Sequence, residues 1–492
     1  MKATRCFVLV VCVSLLFSVF TLAHDNGDFT IIAMPDVQNE SQYYPQVLHA
    51  ETQWIVNARG ALNIQAVVGL GDIVNNGSDN TQWANADAAF RLLDNAGIPY
   101  LLAIGNHDYD NAAPASRSAV GFNEWFGPWR YAGRPWYDGN YNGSNENFYG
   151  VLRINRQKYL VLLMEYVPRD AALSWAAQVI AANQDKQVII VTHSYMYSDN
   201  TRVDQCDTQD LNTNNYGDKQ WSKLVSQYPN VELVLSGHIT NGTAAQRADL
   251  GKNGNLVNQV FSNYQTLPNG GNGYLRIMTF HPASNTIDVK TYSPFLNSYM
   301  TDARNQFTIP WRAPRTFARS GAVSGLVRDS GTCKRIAGAT VAVGPSTAVS
   351  DANGFYSLTL PGGTYSASGV ASAYDGSSTS VAVSNGYAVD ANFFLKPNAP
   401  CAVNQASPSV TICAPADGAV VNSPARVTAG TTDNSSTVSF VQLYVDGVLK
   451  LTQSGGILDT SVTLTSGAHR LTVQAKDAAG AVFKQSVSVT VP

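Results

Sequence analysis

Six apolar runs alternating with helical patterns constrain this chain more than any other feature, because five of them break off in a residue that binds metal or carries a proton. The runs are FTIIAM from Phe29, AVVGLG from Ala66, YLLAIG from Tyr100, YLVLLM from Tyr159, QVIIVT from Gln187 and VELVLSG from Val231. Helical periodicity fills the stretches near 45–59, 82–96, 170–183 and 218–227. Strands buried on both faces need continuous apolar runs rather than alternation, so the pattern predicts an α/β layered core. Further on, GYLRIMTF and TIDVKTYS predict antiparallel strands that close a sheet.

The strand ends carry the chemistry. MPDVQ supplies Asp36 and Gln38, GLGDIV supplies Asp72, IGNHDY supplies Asn106 and His107, VTHSY supplies His193, and LSGHIT supplies His238. Open α/β sheets place their ligand sites at the carboxyl ends of strands. A single polar residue there is ordinary hydrogen-bonded filler, but five such loops in one module converge on a crevice. Oxygen and imidazole donors together suit divalent ions such as Mn, Fe or Zn.

On these residues the segment 28–312 resembles the calcineurin-like metallophosphoesterase superfamily, whose pattern runs D-x-H, G-D, G-N-H-D/E, a distant H and G-H-x-H. The Pro-Asp-x-Gln opening and QTLPNGGNGYLRIM resemble its secreted bacterial branch, related to purple acid phosphatases and acid sphingomyelinase. The resemblance implies a layered double-sheet core flanked by helices, hydrolysing phosphate mono- or diesters by a metal-activated hydroxide. It implies that Asp72 bridges two cations roughly 3.5 to 4 Å apart. Asn106, His193 and His238 would complete one site and Asp36 the other. His107 would then be no ligand; it would stabilise or protonate the leaving oxygen, making it, with Asp72, the catalytic pair. Gly105 is expected to let the backbone turn sharply so that Asn106 and His107 take different tasks.

Two departures from the family pattern fall on the same metal site. Gln38 stands where the family has the His of D-x-H, and Thr240 stands at the second His of G-H-x-H. That site is left with Asp36, the shared Asp72 and the Gln38 carbonyl, and an amide oxygen favours harder ions such as Mg, Ca or Mn. One firm and one weaker site are expected, with Asn241 an alternative ligand. Asn75, Asn76, Tyr109 and Tyr195 lie where substrate contacts would be, the tyrosines serving equally as lid packing. His49, His281 and His469 read as surface or packing residues. NGGNGY, residues 269–274, lacks a following helix and so predicts no phosphate cradle.

MKATRCFVLVVCVSLLFSVFTLA reads as a signal peptide cut after Ala23. Its apolar run is shorter than the roughly 20 residues a spanning helix needs, and no later stretch would cross a bilayer. The expected mature protein is secreted, extracellular or periplasmic. Its new first residue would be His24, but no neighbouring motif supports a copper site. Loss of Lys2 and Arg5 moves the formal charge from −3 to −5, which excludes nucleic-acid binding through a basic surface. Charged residues are only 14%, against about 25% in ordinary globular proteins, as suits a secreted β-rich chain. Cys401 and Cys413 are close enough to pair; Cys206 and Cys333 fall in different expected domains, and their pairing stays open.

Beyond the APRTFARSG linker the helical periodicity disappears. Residues 320–397, with GLVRD, RIAGATVAV and VSDANGFYSLTLPGGTYS, resemble a carboxypeptidase regulatory-like, transthyretin-like sandwich of seven strands. Residues 408–492 resemble a bacterial immunoglobulin-like domain, and Asp446-Gly447 predicts a tight hairpin there. Neither sandwich clusters titratable residues for catalysis, so spacing or contact with a polymer or cell surface is expected of them. The principal reading is a metal-dependent phosphoric ester hydrolase. Its rival is a non-catalytic phospho-ligand or glycan-binding adhesion protein with a degenerate metal site. The retained His107 favours the enzyme.

Overall fold

Phe29–Met34 (β1) buries every one of its side chains, as a strand covered on both faces must. The computed structural model describes residues 27–207, 215–312, 320–383, 387–397 and 401–492; the expected signal segment and His24 lie outside them. After β1 come α1 (Gln38–Tyr43), α2 (Pro45–Ala58), β2 (Ile64–Gly69), α3 (Asn80–Ala96) and β3 (Tyr100–Leu102). The Asp79 side chain accepts from the Thr81 and Gln82 amides and so caps α3, which ends at Gly97 in a left-handed conformation (φ 62°).

The chain continues through α4 (Val120–Phe126), α5 (Pro128–Tyr131), β4 (Tyr137–Tyr141), β5 (Ser144–Ile154), β6 (Gln157–Met164), α6 (Asp170–Ala182) and β7 (Gln187–Thr192). It then forms α7 (Gly217–Lys223), β8 (Val231–Ser236), β9 (Ala244–Leu250), β10 (Leu256–Ser262), β11 (Leu275–His281), β12 (Thr286–Ser293), β13 (Ser298–Met300) and β14 (Gln306–Pro310).

These strands make two sheets. One runs β13-β12-β11-β1-β2-β3 with β14 beside β12; the other runs β4-β5-β6-β7-β8-β10-β9. β1, β2 and β3 are mutually parallel, as are β6 with β7 and β8 with β10. β11 and β12 are antiparallel to their neighbours, as the sequence predicts. The sheets face each other: the rings of Phe29 on β1 and Tyr159 on β6 lie 5.1 Å apart. Helices cover the outer faces, with Trp54 of α2 against Tyr292 of β12 and Trp175 of α6 against Tyr149 of β5. This is the α/β double-sheet core flanked by helices.

By compactness the chain divides into Met1–Ser198, Glu232–Gln246 and Asn258–Ala313 on one hand, and Asp199–Val231, Arg247–Val257 and Pro314–Pro492 on the other. The second unit contains two β-sandwiches. The first joins a five-stranded to a four-stranded sheet over a core that includes Val323, Val341, Tyr356 and Leu395. It exceeds the seven strands of the resemblance partly because its last strand breaks at Ala391 and Asn392, where Asn392 Oδ1 accepts from the Leu326 amide (2.8 Å). The two pieces, Ala388–Asp390 and Phe393–Pro397, both run along Ser320–Asp329. The second sandwich pairs a three-stranded with a five-stranded sheet over Val427, Leu443, Leu471 and Val489. Its hairpin turns at Asp446 and Gly447, both with positive φ, as a tight two-residue turn requires.

Two disulfides join Cys401 to Cys413 and Cys206 to Cys333. The second pairing was left open by the sequence because a separation of 127 residues carries no local signal. Among the described residues no helix is long and apolar enough to cross a membrane.

Candidate metal centre

Each strand end named from the sequence opens at the same rim. Asp36 follows β1, Asp72 follows β2, Asn106 follows β3, His193 follows β7 and His238 follows β8. The ligand atoms of Asp72, His193 and His238 all lie within 4.8 Å of one another. His193 Nε2 sits 3.1 Å from Asp72 Oδ2 and 3.1 Å from Asn106 Oδ1, and all three residues are buried. His193 Nδ1 lies 2.8 Å from the Leu70 carbonyl, which can only accept; the proton therefore sits on Nδ1 and Nε2 is turned to the cluster.

Local backbone makes this convergence possible. Asp72 and His238 adopt positive φ (53° and 75°), a conformation that costs a non-glycine residue of order 1–3 kcal/mol. Gly105 is required for space rather than for turning: a Cβ there would stand 2.1 Å from Asp72 Oδ1, and its φ is not left-handed. Asp108, wholly buried, accepts from the Val74 amide (2.9 Å) and the Gly105 amide (2.8 Å), clamping the loops after β2 and β3 together.

Electrostatics match the geometry. Burial works against the Asp72 carboxylate, but His193, His107 and His238 outweigh it and hold the carboxyl at about 2. Burial also works against a charged His193, yet Asp72 and Asp36 raise its imidazole to about 10. Asp108 is pushed up to about 8 by burial, with Asp72 adding to the effect. Three ligand atoms thus converge on a point that favours positive charge. Oxygen and imidazole donors so arranged fit a divalent cation.

The second half of the site is different. Asp36 is pushed up to about 7 by burial, despite the attraction of His193. Its Oδ2 accepts from the His238 amide (2.9 Å), from Asn263 Nδ2 (2.8 Å) and from Gln265 Nε2 (3.3 Å). Gln38 is buried at the start of α1, and its Oε1 has no hydrogen-bond partner among the described residues, which leaves a lone pair for a cation. Thr240 is exposed, and Asn241 Oδ1 accepts from the Ser198 hydroxyl (2.9 Å) instead of turning to the rim.

His107 lies on this rim with its ring half-buried. Its amide donates to Asp72 Oδ1 (2.9 Å), and its Nδ1 meets the Asn75 carbonyl (3.0 Å), which leaves Nε2 for a substrate. Asn75 also donates to Gln42, and the Asn76 side chain accepts from the Ser78 amide in a local turn. Tyr109 and Tyr195 are wholly buried. Arg117 donates to the Tyr109 hydroxyl and to the Tyr166 and Val167 carbonyls. His49 is exposed, His281 pairs with Asp28, and His469 pairs with Asp446.

Three residues at the rim escaped the sequence reading. Tyr166, after β6, places its hydroxyl 3.3 Å from His238 Nε2. Asn263 and Gln265, after β10, hold Asp36. Each follows an apolar run, VLLM before Glu165 and Tyr166 and VFS before Asn263, so the signal was the one used for the other strands.

The model of the calcineurin-like phosphoesterase family matches residues 29–241, and that of the bacterial Ig domain matches residues 408–473. A Bacillus subtilis (strain 168) protein, uncharacterized protein YvnB, is 33% identical over 283 residues, which is 56% of this chain and 21% of that relative. This chain therefore spans only a small part of that relative's length. Among solved structures, purple acid phosphatase PPD1 from yellow lupin is similar at 13% identity over 58% of this chain and 54% of its own, with a TM-score of 0.37. The fibronectin(III)-like modules of Clostridium thermocellum CbhA are similar at 25% identity over 17% of this chain and 94% of their own, with a TM-score of 0.16.

Proposed function

We infer that this chain, whose residues 29–241 carry a calcineurin-like phosphoesterase domain, is a secreted metal-dependent hydrolase of phosphate mono- or diesters. The observation that carries this reading is the cluster of Asp72, His193 and His238 within 4.8 Å, with Asn106 beside it and His107 on the same rim.

Asp72, Asn106, His193 and His238 would hold one divalent cation firmly. Asp36, Gln38 and the shared Asp72 would hold a second more weakly, because protein donors already occupy one oxygen of Asp36. When bound, such ions polarise a phosphoryl oxygen and lower the pKa of water. The protein's part is placement. Leu70 fixes the His193 tautomer, Asp108 locks the two ligand loops, and Asn75 orients the His107 ring. His107 would then deliver a proton from Nε2 to the departing oxygen of the ester. Secretion is supported by the signal-like opening and by two disulfides, which persist in oxidising compartments.

The test is hydrolysis of nitrophenyl phosphate and bis-nitrophenyl phosphate by the full chain with added Mn, Mg, Zn or Fe, against a chelator control. Turnover that vanishes with chelator and returns with metal is expected. Failure with both esters under every metal would favour the binding protein over the enzyme.

A further inference from the structure

An imidazole that binds a metal through one nitrogen donates its other N–H to a fixed acceptor, which sets both the tautomer and the plane of the ring. His193 has that acceptor in the Leu70 carbonyl, 2.8 Å from Nδ1. At His238 the corresponding place is taken by the phenol of Tyr166, whose hydroxyl lies 3.3 Å from Nε2. The Tyr166 ring also packs beside both imidazoles, its centroid 5.8 Å from that of His193 and 5.1 Å from that of His238. Tyr166 is wholly buried, so its oxygen meets a ring nitrogen rather than bulk water.

His238 needs that support. Its φ of 75° is one that residues other than glycine rarely adopt. Asp36 Oδ2 accepts from its amide (2.9 Å), but a backbone contact does not set the rotation of the ring.

The phenol is placed in turn by strained backbone. Val167, the next residue, has a φ of 41°, an outlying conformation for a β-branched side chain. Arg117 grips the two peptide carbonyls there: Nη1 donates to the Tyr166 oxygen (2.6 Å) and Nη2 to the Val167 oxygen (2.9 Å). The same Nη1 meets the hydroxyl of Tyr109 (3.3 Å), two residues beyond His107. One guanidinium thus ties the loop after β3, which carries Asn106 and His107, to the bend after β6, which carries Tyr166. A planar fork can hold two successive carbonyls at once, whereas a lysine presents a single charged point.

We propose that Tyr166 is a positioning residue for His238, and that Arg117 acts on the same ring by holding the bend at Tyr166 and Val167. The proposal rests on the assignment of Asp72, Asn106, His193 and His238 to one cation.

Calorimetric titration of the metal-free full chain with Mn, and the visible spectrum after loading with Co, test it. Tyr166→Phe keeps the buried ring and removes the oxygen. Affinity at the firm site should fall about 10- to 100-fold, and the Co absorption bands should shift, while the metal-free variant keeps the circular dichroism of the parent. Arg117→Lys should weaken Mn binding as well. The double variant should lose no more than Tyr166→Phe alone, since both changes act through one hydroxyl. Losses that add in the double variant overturn the route from Arg117 through Tyr166, as does unaltered binding in Arg117→Lys. A parent that takes up no Mn overturns the metal centre itself. A parent whose Mn binding is abolished by Asp72→Asn but untouched by Tyr166→Phe overturns this inference alone.

Discussion

Asp72 Oδ2 and His193 Nε2 lie 3.1 Å apart in a wholly buried pair, each contributed by a different sheet. Asp72→Asn removes the charge that draws a cation to this point and the group expected to serve both metals. Metal content after dialysis should fall by at least one equivalent, and ester turnover by about 100-fold or more. Elemental analysis beside the nitrophenyl assay checks both. Unaltered metal content would remove Asp72 from the centre.

His107 should behave oppositely. Among the described residues its side chain hydrogen-bonds the Asn75 carbonyl and none of Asp72, His193 and His238, so His107→Ala leaves their cluster in place. Loss of a positioned proton donor lowers turnover about 100- to 10,000-fold. Metal content should stay at the wild-type value. A deficit of metal in this variant would reassign His107 as a ligand.

Asp108 tests the support of the site rather than its chemistry. Above about pH 8, where the Asp108 carboxyl is ionised, Asp108→Asn turns one acceptor into an amide donor facing the Val74 or Gly105 amide. A buried clash of donors costs about 1–3 kcal/mol, and the melting temperature should drop accordingly. An equal melting temperature would show that the two loops need no clamp.

Gly237→Ala probes the crowding beside Asp36. The added Cβ would stand 2.1 Å from Asp36 Oδ1, so either the carboxylate or the loop after β8 must move. Because the next residue is His238, the displacement reaches both halves of the centre. Equilibrium titration with Mn should show weaker binding, with the looser of two sites affected first. Identical titration curves would place Asp36 outside metal binding.

How much of this was legible beforehand depends on the kind of signal. Apolar runs broken by Asp, Asn or His exposed five strand ends, because burial on both faces and a polar terminus both leave marks in local sequence. The same mark stood at Tyr166 and Asn263, but neither belongs to the motif that guided the reading. Gly105 was legible as special and misread in its reason: its closeness to Asp72 Oδ1 is a distance between strands, which no local pattern records. The link of Cys206 to Cys333 was hidden for the same cause.

Glu40 and Glu51 form a buried carboxyl pair between α1 and α2, an arrangement no periodicity foretold. Burial, then repulsion between the two, raises Glu40 well above the carboxylate range, and burial lifts Glu51 to about 7. A carboxyl whose folded pKa lies above its unfolded value of 4.5 contributes stability below pH 4.5, and that contribution is lost as pH rises through about 7. Glu51→Gln should therefore melt higher than the parent at pH 8, with the gap closing near pH 4.5. Thermal melts across that range decide it; a gap that does not change with pH would rule out the upward shift of Glu51.

The left-handed backbone at Asp72 and His238 implies a tension between endurance and use. Glycine at either place would relax the chain and erase a ligand. At Asp72 that gain is offset by the His107 amide and the buried His193 ring left without their acceptor, so a search for hardier variants judged by heat resistance alone would be drawn to His238 and would return a sturdier molecule with a depleted rim.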